Sequence, residues 1–248
     1  MTVNGTALST DQLQLGVVHA PAKAGEPGEL SFTVATLDGR PVTQYEEAHD
    51  KQLHLMVVRN DGEYFRHRHP VLDSETGVWT IPWTWEAAGT YRVFADVTPA
   101  GGEGATLSRT VEVAGDYQPL DPEPAAEHVA DGYRVTLEGE LAAGAATMLT
   151  ARVTGGGEPV TDLERYLGSF GHLVALRQGD LAYLHIHALE DGTPGPEIRF
   201  HAEAPTAGRY LLYLDYQAEG VVRTARFVVD AGLAAPGTAH QDHHHAHH

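Results

Sequence analysis

The chain has 248 residues and carries 16 basic against 34 acidic side chains, a formal net charge of −18. This charge argues against nucleic acids and anionic membranes as partners, because phosphate binding needs the opposite sign. The chain has no cysteine, which excludes disulfides and thiolate metal sites and leaves imidazole, carboxylate or thioether as metal ligands.

Short segments of alternating polar and apolar residues recur between turn-forming clusters, a pattern typical of β-strands. The first half predicts seven strands, near residues 12–18, 29–36, 52–59, 63–69, 77–83, 90–98 and 106–113. The second half predicts seven more, near residues 131–138, 146–154, 172–177, 181–187, 196–203, 209–216 and 220–229. Helical patterning is weak throughout, and its best candidate, 161–167, is a turn or two long. We therefore expect an all-β protein of antiparallel β-sandwiches, immunoglobulin (Ig)-like or cupredoxin-like.

The two sets of strands indicate two tandem domains that arose by internal duplication. We place the first domain at residues 1–116 and the second at 128–234, joined by a linker rich in proline and acidic residues at 117–127. Residues 235–248 form a tail with six of the 16 histidines, and we expect this tail to be disordered. If native, it would collect metal ions with low specificity; a cloning remnant is the alternative. No segment is apolar enough to span a membrane.

A histidine pattern occurs twice, 118 residues apart, without an intervening insertion. It consists of one histidine on a predicted strand and a His-x-His pair on the next. The two copies are His54, His67 and His69 in the first domain, and His172, His185 and His187 in the second.

Each copy spans a hairpin whose turn fixes the strand pairing. With Asp61-Gly62 at the apex, His54 lies opposite His69. Met56 then lies opposite His67. Directly opposed side chains are about 5 Å apart on one face of a sheet, so the hairpin gathers three imidazoles. The second turn, Gly179-Asp180, predicts the equivalent pairs His172 with His187 and Val174 with His185.

Three imidazoles around one point form a metal site with an open coordination position. Met56 adds a thioether to the first site, which favours copper, whereas Val174 adds no ligand to the second. Asp96 and Asp215 occupy matching positions on a later strand. Each either orients a ligand histidine, ligates the metal directly, or is an ordinary exposed aspartate. Since a free imidazole titrates near pH 6.5, occupancy is expected to fall between roughly pH 6.5 and 5.

Other prominent side chains carry weaker signals. His49 and His201 have no counterpart in the other copy and are expected to be surface residues. Trp79, Trp83 and Trp85 are expected in or at the edge of the first core. The repeated histidines themselves have a structural alternative, which is retention for packing against aromatic neighbours.

At these residues the chain resembles a group of bacterial envelope proteins with tandem Ig-like or cupredoxin-like domains that are described as heavy-metal binding. The resemblance spans about residues 42–227. It implies metal binding, with copper first, and export to the periplasm or cell envelope, although the first residues lack the features of a signal peptide. Ala188 departs from the His-x-His-Pro pattern that Pro70 keeps. The phrases that carry the resemblance are His54-Leu-x-Val-Val-Arg with His67-x-His69-Pro70, Gly89-x-Tyr-Arg-Val-Phe-Ala-Asp96, and Gly171-His-Leu-Val-Ala-Leu-Arg with Tyr183-Leu-His185-x-His187.

The sequence thus predicts a non-enzymatic protein that sequesters or delivers copper, with zinc as the alternative metal, through one three-histidine site per domain. Its expected partners are metal ions and a metal-handling protein. One rival interpretation is a structural or adhesive Ig-like pair with incidental histidines. Another is a copper redox enzyme that uses the open coordination position. No hydrolytic triad, phosphate loop or paired-carboxylate motif supports another chemistry.

Overall fold

A computed structural model describes residues 5–189 and 193–233, apart from the side chains of His185 and His187. Within these ranges the chain forms strands and no helix, so nothing there could cross a membrane as a helix. The histidine-rich tail lies outside the described residues. The first domain contains eight strands: β1 Leu13–Leu15, β2 Gly28–Thr36, β3 Leu53–Arg59, β4 Arg66–Arg68, β5 Val71–Asp73, β6 Val78–Trp83, β7 Gly89–Val97 and β8 Ala105–Val113.

The first-domain strands form two antiparallel sheets, ordered β1-β2-β6-β5 and β4-β3-β7-β8. With the strands lettered in chain order from A to G, and β4 as C′, these sheets are A-B-E-D and C′-C-F-G. That is the strand order of Ig-like sandwiches.

The second domain repeats this arrangement in the strands β9 Glu127–Ala130, β10 Tyr133–Glu138, β11 Ala142–Ala143, β12 Thr147–Gly155, β13 Glu158–Pro159, β14 His172–Arg177, β15 Tyr183–His185, β16 His187–Ala188, β17 Glu197–Ala202, β18 Gly208–Ala218 and β19 Val221–Leu233. Its sheets are ordered β16-β17-β12-β10-β9, with β13 beside β12, and β11-β19-β18-β14-β15. The predicted fold class, two tandem Ig-like β-sandwiches, is confirmed.

The sequence analysis missed four short strands, namely β5, β9, β11 and β13. Each has two to four residues, which is too short for alternation to show. The strand predicted at 63–69 is reduced to β4, and the one predicted at 181–187 divides into β15 and β16, which lie in different sheets. Residues 161–167 contain no helix.

Each sandwich encloses its own apolar core, and a third buried cluster lies between the domains. Trp79, Trp83 and Trp85 belong to the first core, as expected. The third cluster comprises side chains from both domains: Met56, Val58, Phe94, Val174, Leu176, Leu181, Tyr183, Leu211, Tyr213 and Val228. All seven residues of β3 are buried, because one face of the strand meets the first core and the other meets the second domain.

The two domains pack through equivalent sheets in an approximately two-fold arrangement. Phe65 stacks on Tyr213 with ring centres 4.0 Å apart. The repeat-equivalent pair, Tyr183 and Phe94, crosses the same interface at 6.3 Å. The Tyr213 hydroxyl also donates to the Gly62 carbonyl at 2.7 Å. The histidine-bearing face of the hairpin sheet is therefore an interdomain surface.

The linker contacts both domains. The Leu120 amide donates to the Asp61 carboxylate at 2.9 Å, and the Arg209 guanidinium donates to the Pro122 carbonyl at 3.2 Å. These bonds tie the linker to the hairpin turn of the first domain and to β18 of the second.

Candidate metal centre between the two domains

Three first-domain histidines converge on one point. The ligand atoms of His54, His67 and His69 all lie within 4.8 Å of one another. His54 Nδ1 is 2.9 Å from His67 Nε2 and 3.2 Å from His69 Nε2. Two nitrogens bound to a tetrahedral zinc at 2.0–2.1 Å are about 3.3 Å apart, and both pairs that include His54 Nδ1 are near that separation.

The hairpin register that creates this cluster agrees with the turn-based prediction. Met56 pairs with His67 and Leu55 with Arg68 across β3 and β4. His69 follows β4 directly, and its ring centre lies 5.0 Å from that of His54. The predicted gathering of three imidazoles on one face is therefore confirmed for the first domain.

Hydrogen bonds on the outer side of the cluster define the tautomers of two rings. His54 Nε2–H donates to the Ala48 carbonyl oxygen at 2.9 Å, since a carbonyl can only accept. His67 Nδ1–H likewise donates to the Asp215 carboxylate at 2.9 Å. In the neutral rings, His54 Nδ1 and His67 Nε2 therefore both present lone pairs toward the centre of the cluster.

The two inward nitrogens are 2.9 Å apart. Two lone pairs at that distance repel each other unless a proton on one ring or a metal ion lies between them. His54 and His67 are 7% and 6% exposed, so both rings lie largely out of solvent. A ring whose outer N–H is bonded to a carbonyl or carboxylate, with its other nitrogen directed inward, is the usual orientation of a metal-ligating histidine.

Asp215 connects the centre to the second domain. It is 4% exposed, and Thr224 donates to its second oxygen. One of the roles anticipated for this residue, orienting a histidine, is thus present, but the oriented histidine belongs to the other domain. Asp96 is held in the same way by Thr106, at 2.9 Å, and it faces the cavity beside the centre.

A cavity of about 180 Å³ lies beside the triad, between the domains. Its walls include Met56 and Val174 as well as His54, His67 and His172. His49 is exposed, as expected of a surface residue, and it also lines the cavity, with its ring centre 5.1 Å from that of His172. Comparing the two copies within each domain gave no sign of this contact with the other domain.

The second copy matches the first only in part. Val174 pairs with His185 as predicted, and His172 Nε2–H donates to the Tyr166 carbonyl at 3.0 Å. The predicted opposition of His172 and His187 is wrong, because His187 pairs with His201 of β17 in the other sheet. In the first copy the equivalent pairing begins two residues later, at Val71 of β5. Whether His172, His185 and His187 bind a metal stays a prediction.

Burial disfavours the protonated form of three histidines at the cavity, His54, His69 and His172. Desolvation lowers the pKa of His54 to about 4 and that of His69 to about 3, and it also lowers the pKa of His172. Neighbouring histidines lower all three further. The pH window of 6.5 to 5 expected for metal loss used the pKa of a free imidazole. For His54 and His69, the lowered pKa values move competition between protons and metal to lower pH.

The same shifts predict the acid sensitivity of the metal-free fold. Between pH 6.5 and 4 the unfolded chain binds protons that His54 and His69 exclude in the folded state, so stability falls as pH decreases. Each fully excluded proton adds up to about 1.4 kcal/mol per pH unit to the slope of the unfolding free energy against pH.

We expect His54→Gln to flatten this slope in urea unfolding of metal-free protein between pH 6.5 and 5, where most carboxylates stay ionised. His19→Gln, at an exposed position, is the control. Equal slopes in all three proteins would contradict the neutral, buried assignment of His54.

Comparison with curated proteins finds no match. Among solved structures, similar chains include FdeC, described as an Escherichia coli adhesin, at 15% identity and a TM-score of 0.27, covering 92% of this chain and 66% of that one. Invasin, described as a bacterial integrin-binding protein, matches at 16% identity and a TM-score of 0.24, covering 88% and 39%. The D0-D1 region of intimin matches at 14% identity and a TM-score of 0.25, covering 85% and 92%.

The chain therefore spans less than two thirds of the length of FdeC and of invasin. At such low TM-scores these similarities carry no conclusion about ligands or partners. A match by sequence is more extensive: one family, described as a domain of unknown function (DUF8832), matches residues 8–115 and 127–232. Because these ranges cover most of the chain, the protein belongs to the DUF8832 family and carries two copies of its domain.

Proposed function

We propose that the protein binds a transition-metal ion at His54, His67 and His69 and sequesters or delivers it. The observation that supports this proposal most directly is the convergence of the inward nitrogens of His54, His67 and His69, with the outer nitrogens of His54 and His67 bonded to Ala48 and Asp215. This is the orientation that metal-ligating histidines usually have.

Copper is the metal that we favour, with zinc as the alternative. Three imidazoles suit both ions, and a thioether shifts the preference toward Cu(I). Met56 is 1% exposed, lies opposite His67 and lines the cavity. The acidic character of the chain, with a net charge of −18, attracts cations to the surface whichever ion is bound.

The direct test is metal titration of a full-length chain in which the six tail histidines are replaced by serine, here called the tail-silenced protein. The replaced residues are His240, His243, His244, His245, His247 and His248. We expect at least one equivalent of Cu(I), Cu(II) or Zn²⁺ to bind with a submicromolar dissociation constant. A metal ion that binds only the folded state stabilises it by about 2.7 kcal/mol when the free ion concentration is one hundred times the dissociation constant. The melting temperature should rise accordingly. A tail-silenced protein that binds none of these ions at micromolar levels would overturn the proposal.

The contribution of Met56 is tested by Met56→Val in the tail-silenced protein. We expect Cu(I) affinity at the first site to fall about tenfold, or 1.4 kcal/mol, while Zn²⁺ affinity changes little. Competition with a Cu(I) chelator measures the first quantity and calorimetry the second. Val58→Ala, a truncation in the same interdomain cluster, controls for lost packing. Unchanged Cu(I) affinity in Met56→Val would remove the thioether from the site.

Two rival functions make different predictions. An adhesive Ig-like pair, for which FdeC and invasin are named examples among the similar structures, would bind a partner protein with or without metal. A copper enzyme would turn over a redox substrate in the loaded state. We also propose an extracytoplasmic location, supported by the resemblance of the histidine phrases to bacterial envelope proteins and consistent with a cysteine-free chain.

A further inference from the structure

The two domains present their first histidine in the same way. His54 donates to the carbonyl of Ala48, and His172 donates to the carbonyl of Tyr166, which is the repeat equivalent of Ala48. A second carbonyl, that of Leu167, lies 3.1 Å from the same nitrogen of His172. Because Nε2 carries the proton, neutral His172 has its lone pair on Nδ1, the nitrogen with which His54 faces the triad.

The two carboxylates are also held equivalently. Asp96 pairs with His54 across β3 and β7, and Asp215 pairs with His172 across β14 and β18. A threonine on the following strand donates to one oxygen of each, Thr106 for Asp96 and Thr224 for Asp215. In both domains the threonine therefore occupies one oxygen of the carboxylate and not the other.

Asp215 uses that second oxygen for a histidine of the other domain, His67. Asp96 lines the cavity from the first domain, and within the described part of the chain its hydrogen-bond donor is Thr106 alone. Burial raises the pKa of Asp96. By the approximate two-fold relation of the domains, Asp96 corresponds to Asp215, and the histidine that it would support belongs to the second domain.

We propose that the cavity holds a second metal position anchored by His172, and that Asp96 of the first domain positions its ligands as Asp215 positions His67. This inference rests on the proposed function of the triad. It makes the two sites reciprocal, because each domain supplies the carboxylate that supports the metal of the other. The backbone position of His185 opposite Val174 matches that of His67 opposite Met56.

The two positions are close enough to interact. The ring centres of His67 and His172 are 6.5 Å apart, and His49 lies 6.0 Å from His54 and 5.1 Å from His172. Both ions would share one cavity and one partly desolvated environment. The second position is expected to bind more weakly, because His187 has joined another sheet and Val174 supplies no thioether.

The test compares Asp96→Asn with the parent tail-silenced protein in Zn²⁺ calorimetry, with His67→Ala and His172→Ala used to assign the two equivalents. We expect Asp96→Asn to weaken the equivalent that His172→Ala removes, by about 10- to 100-fold, and to leave the other unchanged. With two Cu(II) ions bound, the electron paramagnetic resonance spectrum should show coupling between the ions that is absent in His172→Ala.

Matched threonine variants keep the test decisive if Asp96→Asn does not fold. Thr106→Val should weaken the His172-dependent equivalent, and Thr224→Val the His67-dependent one. Three outcomes for Asp96→Asn or Thr106→Val would overturn the reciprocal arrangement. The variant could weaken only the His67-dependent equivalent, weaken both equivalents equally, or weaken neither. Retention of one equivalent without a second would overturn the second position while leaving the triad intact. Absence of all binding would instead reject the proposed function.

Discussion

Replacing His67 with alanine is expected to abolish tight metal binding at the first site, with at least about a 100-fold loss of affinity. His67 supplies one of three ligand nitrogens, and it is the one whose orientation depends on the second domain. Removing a partner outside the coordination sphere typically costs 10- to 100-fold, and loss of the ligand itself should cost more. The measurement is competitive chelator titration of the tail-silenced protein.

The control for this prediction is His201→Ala, which removes an exposed histidine outside the cavity. It should bind metal like the parent. Circular dichroism and the melting temperature of metal-free His67→Ala must show that the fold is retained, since the substitution leaves the buried Asp215 carboxylate without its donor. His69→Ala, at the edge of the triad, leaves that bond intact and should still lose affinity. Tight binding in both variants would remove these histidines from the site.

The local geometry of the triad could be predicted because short-range rules determine it. The predicted register, with Met56 opposite His67, is present. The loop itself has three residues, 60–62, and closes on Arg59 and Glu63, and the extra residue is absorbed near Tyr64, which has a positive φ. Alternation along the strand then brings His69 to the same face. None of these steps requires knowledge of any residue outside the hairpin.

The covering of that face by a second domain was missed, although a signal was present. The run from Leu53 to Val58 contains one polar residue, His54, and lacks the alternation of a strand with one solvated face. Such a run indicates burial on both sides, and all of β3 is indeed buried. The contact between His67 and Asp215 carries no comparable signal, because no local pattern specifies how two domains align.

The second hairpin shows where prediction from a repeat ends. The spacing of its histidines is identical, yet His187 pairs with His201 of the other sheet, whereas in the first copy the equivalent pairing begins only at Val71. Duplicated spacing therefore predicts the backbone position of His185 but not that of His187.

Asp215→Asn is expected to weaken metal binding at the triad by about 10- to 100-fold without removing a ligand. The carboxylate accepts the Nδ1 proton of His67 and so directs Nε2 toward the metal. An asparagine amide keeps the shape but loses the charge that stabilises the more polarised imidazole of the metal-bound state. The melting temperature of metal-free protein should change less than that of the loaded protein, because the missing charge matters most when metal is bound.

This substitution also separates an interdomain site from one confined to the first hairpin. By linkage, if docking of the second domain strengthens metal binding, then metal strengthens docking by the same free energy. The metal-induced stabilisation should therefore shrink by about 1.4–2.7 kcal/mol in Asp215→Asn, which corresponds to the loss of affinity. Asp230→Asn, at an exposed surface pair with Arg209, should leave that stabilisation unchanged. If Asp215→Asn bound metal with the affinity of the parent protein, the triad would function without the second domain. The hydrogen bond between Asp215 and His67 would then serve domain packing alone.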